Sequence, residues 1–534
     1  MRALFRILNF WIMIMLISPC VFAQDGAEKV KWGAWDKWGD LGDGTYRNPL
    51  LPGDYSDIDC IRVGTDYYAI SSTFQFSPGM VILHSKDLVN WTIAGHAVND
   101  LTQISAKLGW EHMDSYGKGI WAGAIRHHLG KFWIYFGTPD DGYFMTSSKS
   151  INGPWAPLVK VLAAKGWDDC CPFWDDNGQG YLVGTNFADG YKIHLFKLTP
   201  DGKKIITGSD QVIYQSKGSE ASKLYKINGL YYHFFSEVKD DGRAVMIRKA
   251  KAITRPYGPA KQIGHAQKNF HEPNQGGIID APGGKWYFLT HHGSGDWSGR
   301  NMSLLPVNWI DGWPILGKVG ADTIGNMVWA DKKPIQSSGK VLPQSSDEFD
   351  QGKIQPQWEW NYQPRAEKIS LTERKGWLRL KAFRPLEKDN LLKAGNTLTQ
   401  RSMRTVKNES VVKLDLSGMS DGQKCGLTHF GSPLYAAFGV SQKDGKKILE
   451  LKVKKNVFAG PEIKGNMLWL KSTWGLDGLS QYYYSTDGLH FTAFGTPYQL
   501  SWGSYRGDRI GLYNYNNEND SGYVDIDYFR YTYH

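Results

Sequence analysis

The sequence lacks the usual signatures of metal chemistry. It contains no HExxH and no tight His/Asp ligand spacing, which argues against a metallohydrolase mechanism. Cysteine is scarce, with five in 534 residues. Beyond the amino-terminal segment only Cys60, Cys170, Cys171 and Cys425 remain, too few for a disulfide scaffold and in no zinc spacing, so buried free thiols are expected. The net charge is +9, but the positive residues are interleaved with acids. Without a basic arm or an Arg stripe, nucleic acid is a poor partner. No long stretch of 3.6-residue periodicity follows the first two dozen residues, which leaves little room for a helical fold.

The amino terminus is a separate unit. Basic MRALFR, apolar NFWIMIMLIS and PCVFAQ with a break after Ala23 predict an export signal over 1–23, and hence a periplasmic or extracellular protein. The apolar run of roughly a dozen residues falls short of the ~20 that a membrane span needs. Cys20 sits in ISPC, without the small residue required before a lipid-modified cysteine.

What the chain does have is aromatic residues (Trp 22, Tyr 28, Phe 23) and 60 glycines. They recur together, as a glycine turn followed by an aromatic strand. GTDYYAISST starts at Gly64, GKFWIYFGT at Gly130 and GQGYLVGTN at Gly178; NGLYYHFFSE and GGKWYFLTHH carry the matching Gly229 and Gly284. Intervals of 66, 48, 51 and 55 residues each accommodate a four-stranded antiparallel sheet, and five such sheets predict a five-bladed β-propeller over 40–335. Near 345 the polar run SSGKVLPQSSDEFDQGK marks a boundary. Beyond it, alternating segments such as SVVKLDLSG, ILELKVKKN and YVDIDYFRYTY predict a β-sandwich of the concanavalin-like jelly-roll type over 346–534. The fold class is therefore all-β.

Registering the blades on their glycines locates candidate chemistry. Nine residues before Gly130, Gly178, Gly229 and Gly284 stand Trp121, Asp169, Glu220 and Gln275, and Asp57 lies seven before Gly64. Equivalent positions on inner strands converge near one end of a propeller axis. Carboxylates held close in a funnel disfavour joint ionisation, so one can stay a protonated acid while another remains an anion. Glycoside cleavage requires that division. Strand alternation points the neighbouring Asp59 and Asp168 away from the channel, provided that no bulge intervenes. The His pairs at 127–128 and 291–292 read as edge residues on strands, whereas His271 begins the inner segment of the fifth blade.

The motifs YRNPLLPGDYSDIDCIRVGTDYYAISSTFQFSPGM, KGWDDCCPFWDDNGQGYLV, GSEASKLYKINGLYYHF and HEPNQGGIIDAPGGKWYFLTHHG resemble glycoside hydrolase family 43, in its two-domain branch of exo-acting β-xylosidases and α-L-arabinofuranosidases. The resemblance spans 40–534. It implies inversion without a covalent intermediate, with Asp57 as general base, Glu220 as general acid and Asp169 raising and orienting that acid. It further implies Trp121, Phe74, His271, Gln275 and Arg300 as sugar contacts, and no cofactor for the reaction. Many relatives have proline after the first- and third-blade aspartates, where this chain has Ile58 and Cys170; the change bears on substrate fit more than on proton transfer. The implied partners are plant cell-wall glycans such as arabinoxylan, arabinan or xyloglucan side chains. The DYSD and STFQFSPGM segments lie nearer the arabinofuranosidase-rich branch, so release of terminal α-L-arabinofuranose is the expected activity. β-D-Xylosidase or dual action is the alternative, and a non-catalytic carbohydrate-binding protein a more distant one. A structural calcium ion is an additional expectation, held by Asp347, Glu348, Asp350, Asp525 and Asp527 where the first and last sandwich strands meet.

Overall fold

The computed structural model describes residues 37–534 except 241, 255, 267–274, 294, 338 and 432. The predicted signal segment 1–23 and His271 therefore lie outside the described residues. Among those described, no helix is long and apolar enough to cross a membrane.

Five antiparallel sheets follow one another in chain order. Their inner strands are Asp59–Val63, Gly123–His128, Trp167–Trp174, Glu220–Ile227 and Gly276–Ala281. Each leads through a tight turn into an aromatic second strand: Asp66–Ser71, Lys131–Thr138, Gly180–Asn186, Leu230–Lys239 and Lys285–His292. The repeat glycines sit in these turns at φ values of 63°, 69°, 81°, 77° and 73°. That is left-handed backbone, which glycine adopts without a Cβ clash. The second strands are buried because each blade packs its faces on its neighbours, and Tyr135, Phe136, Leu182, Val183, Phe235 and Leu289 are nearly inaccessible. The circle closes where strand Leu51–Asp54 pairs with Asn301–Ile310 of the fifth blade.

The carboxy-terminal third is a two-sheet sandwich of eight and seven strands. Its inner faces interdigitate through Leu427, Phe438, Leu451, Leu470, Ile526 and Phe529. One strand of the eight-stranded sheet, Phe76–Ser77, is contributed by the first blade and pairs with Glu359–Asn361. The sandwich is thus joined to the propeller by backbone hydrogen bonds as well as side chains. The four cysteines among the described residues, Cys60, Cys170, Cys171 and Cys425, are buried free thiols, as expected.

Four of the five acids proposed as a calcium cage are committed elsewhere. Asp347 accepts hydrogen bonds from the backbone of Phe349 and Gln355 and from the Trp358 indole. Glu348 pairs with Arg530, Asp525 with Arg374 and Arg379, and Asp527 with Lys413, while Asp350 is exposed. Cations neutralise Glu348, Asp525 and Asp527, and hydrogen-bond donors occupy Asp347, so the five form no ligand cluster. Among the described residues, no group of His, Cys, Asp and Glu is arranged to hold a metal ion.

Candidate active site

A cavity of about 310 Å³ opens at one end of the propeller axis. Asp57, Trp121, Asp169, Glu220 and Gln275, one from each blade segment, line it together with Phe74, His291, Arg300 and Tyr505. Glycine registration therefore brings the predicted residues to one place.

The strands deliver these groups through local backbone strain. Asp57, Asp169 and Ala221 have φ of 55°, 52° and 63°, a conformation that costs a non-glycine residue on the order of 1–3 kcal/mol and persists only where its surroundings hold it. Here the backbone N–H of Asp57 donates to Nδ1 of His291 at 2.9 Å, and that of Ala221 donates to Oδ2 of Asp169 at 2.8 Å. The ladders of the third and fourth inner strands shift register at these points, between Asp168 and Cys171 and between Glu220 and Lys223. Bulges re-aim side chains in this way.

The two outer carboxyls sit in opposite electrostatic settings. Burial pushes the Asp57 carboxyl up, but Arg300, His291 and Ser72 outweigh it and hold it below the usual aspartate value. Arg300 forks onto Asp57 with Nη1–Oδ1 at 2.8 Å and Nη2–Oδ2 at 3.1 Å, and Ser72 Oγ donates at 2.7 Å. Glu220 is pushed up to about 7, by burial first and then by the charge of Asp169, against a lowering influence from Arg243 3.2 Å away. Asp169 is itself fixed by Gln275, whose Nε2 donates at 2.6 Å. One group is poised as an anion and one as an acid near neutral pH.

Aromatic rings make the wall. Trp121 stands 6.1 Å from Phe74, 6.4 Å from Phe187 in a stacked arrangement and 6.0 Å from Tyr505 edge-on. Tyr505 belongs to the sandwich, and its carbonyl accepts from Nε of Arg300 at 3.2 Å. Arg506 beside it is buried between Phe74 and Phe76 and donates to the Thr73 carbonyl. The second domain therefore supplies part of the pocket rim.

Several expectations need correction. His291 and His292 are buried rather than edge residues. Burial first and then Arg300 push His291 down to about 3, and the neutral ring accepts the Asp57 N–H. Arg300, expected as a sugar contact, also clamps the candidate base. Asp59, by contrast, lies outside the cavity as expected, paired with Arg126 at 2.6 Å. Asp168, expected to face away, lines the cavity, because the left-handed turn at Asp169 interrupts strand alternation. Arg243, Ser72 and Tyr505 were not anticipated. They come from a third strand, the residue just after a second strand and the other domain, so blade registration on the inner strands gives no signal for them.

Comparisons with known proteins agree with this architecture. Residues 46–314 match the model for glycosyl hydrolases family 43, and residues 346–532 match the β-xylosidase C-terminal concanavalin A-like domain. A β-xylosidase of Formosa agariphila is 35% identical, covering 93% of this chain and 92% of the relative. A non-reducing end α-L-arabinofuranosidase of Bacteroides ovatus is 28% identical over 65% of this chain and 67% of its own length. A solved structure described as a bifunctional GH43-CE protein of Bacteroides eggerthii superimposes with a TM-score of 0.79 at 29% identity, over 91% of this chain and 63% of that one. A five-bladed propeller with opposed carboxyls, extended matches to both domain models and similarity along nearly the whole chain lead to one conclusion: this chain is a glycoside hydrolase and belongs to glycosyl hydrolases family 43.

Proposed function

We propose that this protein is an exo-acting, inverting β-D-xylosidase that removes terminal xylose from plant cell-wall xylo-oligosaccharides after export from the cell. The observation that carries the reaction type is the opposed setting of Asp57 and Glu220 across one cavity. Asp57 takes a proton from water as that water attacks the anomeric carbon. Glu220 donates its proton to the glycosidic oxygen as the bond to the leaving sugar breaks. The electron pair of that bond leaves with the oxygen, and one proton has moved at each side of the ring. Asp169 keeps Glu220 protonated through its charge and holds the adjoining backbone at Ala221.

The expectation of arabinofuranose release rested on two motif segments of the first blade. Similarity to a β-xylosidase over 93% of the chain favours the xyloside alternative. The arabinofuranoside reading remains second, supported by the shorter match to the Bacteroides ovatus enzyme. The test is kcat/KM for 4-nitrophenyl β-D-xylopyranoside against 4-nitrophenyl α-L-arabinofuranoside. A preference of about tenfold or more for the xyloside, with xylose freed from xylo-oligosaccharide ends, is expected. The reverse preference would install the arabinofuranosidase reading.

Tyr505 gives this proposal a second consequence. The residue is 58% exposed and lines the pocket, where the sugar beyond the scissile bond would lie. Tyr505→Ala is expected to raise KM for xylotriose by about three- to tenfold while leaving kcat on the aryl xyloside within about twofold, since the lost contact binds ground and transition states alike. Equal KM values for wild type and variant on xylotriose would remove Tyr505 from the binding surface.

A further inference from the structure

The ladders of the third and fourth blades carry a register that counting from glycines conceals. Asp168 pairs with Thr185, and Glu220 pairs with Ser236. These partners are the seventh residues beyond turn glycines Gly178 and Gly229. Asp168, not Asp169, is therefore the structural counterpart of the candidate acid, and Asp169 corresponds to Ala221, which shares its left-handed backbone. Two successive blades each aim a carboxyl into the cavity from the same rung.

The surroundings of Asp168 are built around that carboxyl. A Cβ on Gly137, in the second blade, would fall 2.6 Å from its Oδ1, so only glycine leaves the acid its space. Tyr143 donates to the Asp168 carbonyl at 2.8 Å and fixes the backbone. Oδ1 itself is buried with no hydrogen-bond partner among the described residues. Oδ1 faces Gly137 and offers no surface to the cavity, so a sugar hydroxyl meets the residue on its cavity-lining side instead.

We propose that Asp168 is a substrate-binding, specificity-determining residue, a carboxyl that hydrogen-bonds one ring hydroxyl of the pentose held in the cavity. The inference rests on the pentosidase reading above. Burial first, then the charges of Asp169, Asp57 and Glu220, push the Asp168 carboxyl well up. That shift favours the protonated form, which donates to a hydroxyl oxygen without adding a further anion.

The experiment measures kcat/KM for wild type, Asp168→Ala, Asp168→Leu and Asp168→Asn on 4-nitrophenyl β-D-xylopyranoside and its 2-, 3- and 4-monodeoxy analogues, with melting temperatures recorded for each protein. The alanine and leucine variants are expected to lose about 10- to 100-fold on the parent xyloside. One particular deoxy analogue should then lose little further, because its hydroxyl no longer has a partner to lose. Asparagine, which retains a donor, should recover most of the parent rate. The two apolar variants bracket side-chain volume, so either one that keeps the wild-type melting temperature supplies the comparison. If neither does, a parent rate and deoxy selectivity retained by the asparagine variant support the hydrogen bond, and a uniform fall across all four substrates in that variant overturns it. In a folded variant, unchanged rates or an equal loss on every analogue would likewise overturn the proposal. Wild-type turnover of the parent xyloside is the separate control: its absence, together with no turnover of the arabinofuranoside, would strike the pentosidase reading itself.

Discussion

Asp57→Asn and Glu220→Gln are each expected to lower kcat/KM by about a hundred- to ten-thousand-fold, the range that a positioned general base or acid supplies. The two losses should differ in kind. Gln at 220 removes the proton donated to the leaving oxygen, so a substrate with an acidic phenol as leaving group should recover much of the rate. Asn at 57 removes activation of water, which no leaving group restores. The pH profile separates them further. The acid must be protonated, so wild-type activity should fall as pH rises through about 7, where Glu220 titrates. The base must be ionised, so activity should fall on the acid side only as pH drops through a value below the usual 3.8 of aspartate. Glu220→Gln should abolish the alkaline limb and keep the acid one. Steady-state kinetics across pH 3–9 with near-native circular dichroism would check both, and a Glu220→Gln profile still falling near pH 7 would reassign the acid.

The second large effect concerns the joint between the domains. Glu359 is inaccessible to solvent and accepts from Arg401 at 2.9 Å, Arg509 at 2.6 Å and His96 at 3.0 Å. His96 comes from the first blade, and Arg401 also donates to the Asp54 carbonyl, so the cluster ties sandwich to propeller. Removing one member of such a buried network strands the others without their counter-charge, at about 3–5 kcal/mol. Glu359→Gln should lower stability by that order, read as a shift in the urea midpoint or the melting temperature. Burial alone pushes this carboxyl up, but Arg401, Arg509 and His96 together hold it well below its ordinary value. A group with a depressed folded pKa contributes stability above its unfolded value, about 4.3, and loses it as pH falls through the folded one. Wild type should therefore lose stability progressively below about pH 4, with a shallower slope in Glu359→Gln. Equal slopes would show that Glu359 is not ionised in the folded protein.

The propeller was legible in the sequence because its five turns require positive φ, and glycine meets that requirement visibly at Gly64, Gly130, Gly178, Gly229 and Gly284. The carboxyl positions followed because inner strands repeat the same geometry relative to those turns. The side on which Asp168 faces did not follow. A single left-handed residue, Asp169, reverses the alternation, and nothing in DDCC marks it as left-handed. Tyr505 was equally hidden, since it meets Arg300 across 205 residues and from another domain. The calcium expectation failed for a related reason: alternating acids at 525 and 527 share a strand face, but the cations that neutralise them stand on neighbouring strands, out of sight of local sequence.

The most direct measurement is proton NMR of the first sugar released from an aryl β-D-xyloside, recorded before mutarotation. With Asp57 activating water on the face opposite the leaving group and Glu220 protonating the departing oxygen, α-xylose should appear first and the β anomer only as the solution equilibrates. Initial formation of β-xylose would mean retention, and would contradict the assignment of Asp57 as a base acting on water.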